Sequence, residues 1–216
     1  TIKFTYNTKK SVAFTFHFRI PGWCRNPIAK INGNNVDVDL QTGSVAIINR
    51  TWKKGDNLIL KFPMEIRTSG WAENAVAIER GPLLYALKIK EEWQQKTVKR
   101  FKDPFYEVYP KSDWNYGIYR PDFDKKNFEI TEVDEIADMP WNLENAPITL
   151  HINGKQIEQW KEYNHSAGKS PRSTYRVPKE KPLVKLELIP YGCTTLRISQ
   201  FPLVKDGIIY KSDFLE

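Results

Sequence analysis

The chain has 216 residues, 40% of them hydrophobic, 27% charged and 13% aromatic, and a formal net charge of +7. That balance describes a globular protein with room for one large or two small domains. It excludes a disordered chain, and no apolar run approaches the roughly 20 residues of a membrane-spanning helix, so a membrane is not an expected partner.

The charge is uneven. Residues 1–90 hold 14 Lys and Arg against 6 Asp and Glu, whereas residues 91–216 hold 19 against 20. The basic residues of the first half are scattered and accompany no nucleic-acid-binding motif, so nucleic acid is not an expected partner either. The chain opens on Thr1 with no Met, basic stretch or apolar stretch, so any targeting segment is expected upstream or already removed.

Alternation with a period of two dominates from the start. Val12, Phe14, Phe16, Phe18 and Ile20 fall on one face and Ala13, Thr15, His17 and Arg19 on the other, as in a half-buried antiparallel strand. Ile31-Asn32-Gly33-Asn34 reads as a tight hairpin, because Asn and Gly accept the positive φ such a turn needs. The Lys54-Gly55-Asp56-Asn57 turn precedes a strand carrying Leu58, Leu60 and Phe62. Val76, Ile78, Leu83, Tyr85 and Leu87 continue the series, with a bulge or an edge crossing expected at Pro82.

From Glu91 to Lys111 the pattern loosens into a charged and aromatic segment that reads as a link. Strand signals return at Trp114 to Tyr119, Phe128 to Val133, Ile148 to Ile152, Leu183 to Ile189 and Thr194 to Ile198. Leu150-His151-Ile152-Asn153-Gly154-Lys155-Gln156-Ile157 reads as a second strand, Asn-Gly hairpin and strand. Asp134 to Pro147 and Asn164 to Pro178 are long polar loops, and no sustained i, i+3, i+4 stripe marks a long helix. The expected fold is all-β, with two antiparallel, jelly-roll-like β-sandwiches: residues 1–90, a linking segment 91–111, and residues 112–216.

Little in the chain announces chemistry. Cys24 and Cys193 lie far apart beside aromatic residues and read as buried free thiols. His17, His151 and His165 share no metal-ligand spacing with them, so neither a metal site nor a cofactor is expected in this segment. Thr15, Ser44, Ser166 and Cys24 lack a sequence partner that would activate them as nucleophiles, and Gly168-Lys169-Ser170 lacks the upstream glycine of a phosphate loop. Asp37 with Asp39, and Glu158 with Glu162 around Trp160, are the carboxylate pairs nearest to a glycosidase pattern and read as solvated surface. No catalytic residue is assigned. The remaining candidates are aromatic: Trp114, Trp141 and Trp160, with Trp71, Tyr116 and Tyr119 beside them, fall near loops and strand ends, where an indole face can stack on a sugar ring. Packing in a core is the competing role for each, and Trp23 and Trp52 read as pins for their turns.

Several ordered blocks resemble one known family. They are Phe18-Arg19-Ile20-Pro21-Gly22-Trp23, Ile31-Asn32-Gly33, Arg50-Thr51-Trp52-Lys53-Lys54-Gly55-Asp56, Phe62-Pro63-Met64, Ala77-Ile78-Glu79-Arg80-Gly81-Pro82-Leu83-Leu84-Tyr85, Leu188-Ile189-Pro190-Tyr191-Gly192-Cys193-Thr194-Thr195-Leu196-Arg197-Ile198-Ser199 and Phe201-Pro202. Together they look like glycoside hydrolase family 127, known for β-L-arabinofuranosidases, over residues 12 to 202 and most weakly from Glu91 to Asn145.

The resemblance implies a parent enzyme whose helical barrel carries a zinc-bound cysteine nucleophile and a glutamate acid/base, followed by two β-sandwich domains. This chain resembles the sandwiches, so none of the barrel's catalytic residues carries over, and Cys24 does not match the nucleophile. The implied role is a non-catalytic C-terminal region of a retaining hydrolase of plant-type glycans, steadying the barrel or mediating subunit contacts. The implied partners are the barrel of the same parent chain and a second copy of the protein, and the implied residence is periplasmic or extracellular. The alternative role is a carbohydrate-binding module that holds glycans on loop aromatics.

Overall fold

The computed structural model describes residues 1–100, 102–172 and 175–208, in which the chain divides into two compact units, Thr1–Glu65 and Ile66 onward. The last eight residues of the expected second sandwich, and Ser173 and Thr174 of the polar loop, lie outside the described residues.

The first unit follows its alternation. Strand β2 (Val12–Arg19) pairs antiparallel with β5 (Val45–Trp52) over their full length, from Val12 opposite Trp52 to Arg19 opposite Val45. This register turns Phe18, Ala46, Ile48 and Trp52 inward together. A second sheet has the order β1 (Ile2–Thr5), β6 (Asn57–Lys61), β3 (Ile28–Ile31), β4 (Asn34–Asn35) and contributes Ala29, Ile31, Leu58 and Leu60 to the same apolar cluster. Two sheets sharing one core make a sandwich.

Asn32 (φ 51°) and Gly33 (φ 89°) form the expected two-residue turn between β3 and β4. Asp56 anchors the neighbouring turn: its carboxylate accepts from Asn32 Nδ2 at 2.7 Å, from the Lys53 N–H at 2.9 Å and from Arg50 Nη2 at 3.2 Å. The Asn32 and Lys53 hydrogen bonds hold this carboxyl below its ordinary range.

The second unit is built on one large sheet. Its order is β17 (Tyr175–Val177), β19 (Leu203–Asp206), β12 (Tyr116–Tyr119), β14 (Ile148–Gln156), β18 (Val184–Pro190), β9 (Leu83–Leu87), β8 (Val76–Arg80), β7 (Ile66–Gly70), with β13 (Glu129–Glu132) also pairing with β14. Ile66 of β7, Tyr85 of β9, Ile118 of β12 and Leu150 of β14 share one apolar cluster although their strands are not all neighbours, so the sheet curls around its core. Pairing is antiparallel except at one edge, where β19 runs parallel to β12 and β17. Two hairpins complete the unit, β10 (Glu91–Lys96) with β11 (Phe105–Pro110), and β15 (Glu162–Tyr163) with β16 (Ser166–Ala167).

The all-β class stands, and the boundaries move. The break falls at Glu65 and Ile66 and not at residues 90–111, because β7, β8 and β9 join the second unit's sheet through Leu87 opposite Leu188. The segment read as a link is the β10–β11 hairpin. At Gly81-Pro82 the chain makes a two-residue turn that sets Arg80 opposite Leu83, in place of a bulge. Asn153-Gly154, read as a hairpin, lies inside continuous β14, where the bare backbone of Gly154 meets its neighbours: a Cβ there would stand 2.5 Å from Leu186 Cδ1 and 2.7 Å from the Gly117 carbonyl. Thr194 to Ile198 is a loop and not a strand, and the N–H groups of Thr195 and Leu196 are taken by the Glu91 carboxylate instead of a neighbouring strand.

Candidate functional site

The three sequence-derived tryptophans occupy different environments. Trp160 is 5% exposed, its Nε1 donates to the Gly168 carbonyl at 2.8 Å, and its ring packs edge-on against Trp114 at 5.2 Å. It serves the core, with no face left for a sugar. Trp114 is half-buried and presents its remaining surface to a cleft of about 610 Å³.

Trp141 is 54% exposed and borders a second, smaller recess of about 340 Å³, beside Trp93, Gly192 and Thr194. The loop carrying it is turned by Asn142, whose Oδ1 accepts from the N–H groups of Glu144 and Asn145 while its Nδ2 donates to the Met139 carbonyl. Of the neighbouring candidates, Trp71 is exposed and donates to Ser69 Oγ at 3.1 Å, and Tyr119 donates to Asp206 Oδ2 at 3.1 Å. Tyr116 packs against the core cluster.

The larger cleft has three walls. Glu107 and Tyr109 project from β11, where residues two apart share a face, and the Tyr109 hydroxyl donates to Glu107 Oε2. The β15–β16 hairpin supplies Glu162, His165 and Ser166. Its turn residues Asn164 and His165 both hold positive φ, 48° and 57°, a region that side-chain-bearing residues enter rarely, although Asn and His do so more than most. The third wall is the loop Thr195 to Ile198, whose Arg197 donates from Nε to the Tyr191 and Thr194 carbonyls and lies over the Tyr191 ring at 4.5 Å.

Charge in this cleft is counterbalanced. Glu107 has Lys96 at 3.7 Å, and Glu162 shares the cleft with Arg197. The hydrogen bond to Glu107 raises the Tyr109 phenol above its ordinary value, and the negative charge of Glu162 acts in the same direction through space.

Sequence reasoning passed over Glu107, Tyr109 and Arg197, and read Glu162 as plain surface. A signal was present in Phe105-Tyr106-Glu107-Val108-Tyr109, a run of strand-favouring residues with one acid.

Zinc finds no ligand set among the described residues, where no three His, Cys, Asp or Glu side chains converge on a point. Cys24 and Cys193 are buried free thiols, and burial pushes both up from the ordinary thiol value, away from the thiolate a metal requires.

Compared with known families, residues 1–64 match the model of the β-L-arabinofuranosidase GH127 middle domain. No curated protein matches the chain. Among solved structures, a GH127 β-L-arabinofuranosidase from Geobacillus stearothermophilus T6 aligns with a TM-score of 0.54 at 20% identity, over 95% of this chain and 28% of its own. A further GH127 β-arabinofuranosidase aligns at 0.53 and 19% identity, over 92% of this chain and 30% of its own.

At identities this low the alignments show a likeness of fold alone, and the chain spans less than a third of either enzyme. The resemblance to family 127 is thus borne out in sequence over residues 1–64, which coincide with the first compact unit. Past residue 64 the similarity is one of fold.

Proposed function

We propose that this chain is the accessory, non-catalytic part of an arabinofuranosidase-like glycoside hydrolase. The observation that carries the reading is the coincidence of the middle-domain match, residues 1–64, with a self-contained sandwich, Thr1–Glu65. In this reading a helical barrel of the same parent performs the hydrolysis and holds the zinc, and the sandwiches stabilise it by covering apolar surface. The basic first unit, with Lys53 and Lys54 in its β5–β6 turn, supplies the docking charge.

The reading is tested by mixing the purified chain with a separately produced catalytic barrel of a family 127 enzyme. The expected result is an association that weakens as salt rises and on charge reversal at Lys53 and Lys54, together with a higher melting temperature for the barrel. Absence of association at any salt concentration overturns the accessory role.

A further inference from the structure

We infer that the cleft between β11, the β15–β16 hairpin and the Thr195 to Ile198 loop is a binding site for a neutral saccharide. This inference is independent of whether the chain docks on a catalytic barrel.

Size comes first. At about 610 Å³ the cleft falls among sites that enclose small molecules, for which about 300–1,000 Å³ is usual. Its lining combines apolar and polar side chains, as a sugar ring combines a C–H face with hydroxyl groups. Trp114 is held rigidly from behind by Trp160, itself pinned by its bond to the Gly168 carbonyl, so the surface offered to a ligand is pre-organised. Ile198 and Leu196 extend that surface, while Glu107, Tyr109, Glu162 and His165 surround it with hydrogen-bonding groups.

Charge then selects the class of ligand. An anion would face the Glu107 and Glu162 carboxylates, while the Lys96 ammonium is already paired with Glu107 at 3.7 Å and the Arg197 Nε–H is spent on two backbone carbonyls. A metal cation would find no three His, Cys, Asp or Glu side chains grouped to hold it among the described residues. A ligand rich in hydroxyls meets neither obstacle. Its O–H groups donate to the two carboxylates, its oxygens accept from His165 or Ser166, and its C–H face lies against Trp114.

The β15–β16 turn supports the same conclusion. Placing His165 at φ 57° costs backbone energy, and turns of this kind are ordinarily made by Asn-Gly. A glycine at that position would relieve the backbone and remove the imidazole from the cleft wall.

The test is a titration of the full chain with methyl pentosides, methyl hexosides and their disaccharides, followed by calorimetry and by two-dimensional NMR of backbone and indole N–H groups. Saturable binding of at least one neutral sugar is expected, with shifts centred on Trp114 and on residues 107–109 and 162–166. Glu162→Gln, an exposed change that leaves the fold intact, is expected to weaken binding about tenfold, and Tyr109→Phe by a similar factor. Trp141→Ala, in the adjoining recess that shares Thr195 and Arg197 with the cleft, is expected to leave affinity unchanged, because Trp141 itself does not line the cleft.

No saturation by any sugar at about 50 mM would overturn the inference. So would affinity that survives Glu162→Gln but is lost in Trp141→Ala, or calcium binding at this cleft that Glu162→Gln abolishes while no sugar binds.

Discussion

The Glu91 carboxylate accepts a hydrogen bond from the Thr195 N–H at 2.6 Å, joining residues 104 positions apart. The same oxygen accepts from Thr194 Oγ1 at 3.0 Å and from the Leu196 N–H at 3.1 Å. One side chain thus fastens the β10–β11 hairpin to the loop that forms another wall of the cleft. Burial on its own would raise this carboxyl, but the N–H groups of Leu196 and Thr195, with the Thr194 hydroxyl, override it and hold the value below the ordinary 4.5. Because the folded value is depressed, the stabilisation is fully present above pH 4.5 and is lost as pH falls through the folded value. Glu91→Ala is expected to cost about 2 kcal/mol, and Glu91→Gln about 1 kcal/mol with a smaller loss of stability on acidification. Urea unfolding at about pH 7 and about pH 3 measures both effects.

The two Asn-Gly dipeptides should respond differently to the same change. Gly33 has φ 89° and open space around it, so Gly33→Ala is expected to cost about 1 kcal/mol, from backbone strain alone. At Gly154 the added methyl group meets Leu186 and the Gly117 carbonyl, and about 3 kcal/mol is expected, because a backbone atom cannot move aside as a side chain can. Chemical denaturation of both variants tests the ordering. Equal costs would mean that β14 is not packed as described.

Trp160→Phe keeps most of the apolar volume and removes the donor to Gly168, and is expected to cost about 1 kcal/mol. Trp160→Ala also empties the space behind Trp114 and is expected to cost about 3–5 kcal/mol. Thermal melts and denaturant midpoints report the difference.

Lys155 is 3% exposed and donates to Asp206 Oδ1 at 2.7 Å and to the Lys179 carbonyl at 3.2 Å, while Tyr119 donates to the other Asp206 oxygen. The bond from Lys155 holds the Asp206 carboxyl below its ordinary value, so this link also weakens only as the solution becomes strongly acidic. Asp206→Asn leaves a buried ammonium without its counter-charge and is expected to cost about 3 kcal/mol. Lys155→Met removes the buried charge altogether and is expected to cost less. The reverse order in equilibrium unfolding would contradict a buried lysine held by a partly exposed carboxylate.

What the sequence revealed was whatever depends on neighbours a few residues away. Phe14, Phe16 and Phe18 announced β2 by alternation, Leu58 and Leu60 announced β6, and Asn32-Gly33 announced its turn. What it concealed depends on distant partners. Asn153-Gly154 has the same turn chemistry as Asn32-Gly33, yet Leu186 and Gly117 decide that it stays extended. The unit boundary was misplaced for a related reason: β9 sits beside polar, turn-rich sequence but pairs with β18. The cleft was hidden because its walls come from β11, from residues 162–166 and from residues 195–198, two separate hairpins and a loop that lie far apart in sequence. Trp160 shows the converse error, since loop-like surroundings suggested an exposed indole that the Gly168 carbonyl and Trp114 in fact bury.

The most direct test of the accessory role is hydrolysis of an aryl β-L-arabinofuranoside by the purified chain, alone and after addition of a family 127 catalytic barrel that lacks its sandwiches. The expected result is no turnover by the chain alone and a more heat-resistant barrel activity in the mixture. Turnover by the chain alone, abolished by substitution of its own carboxylates, would contradict the account and make this protein an enzyme in its own right.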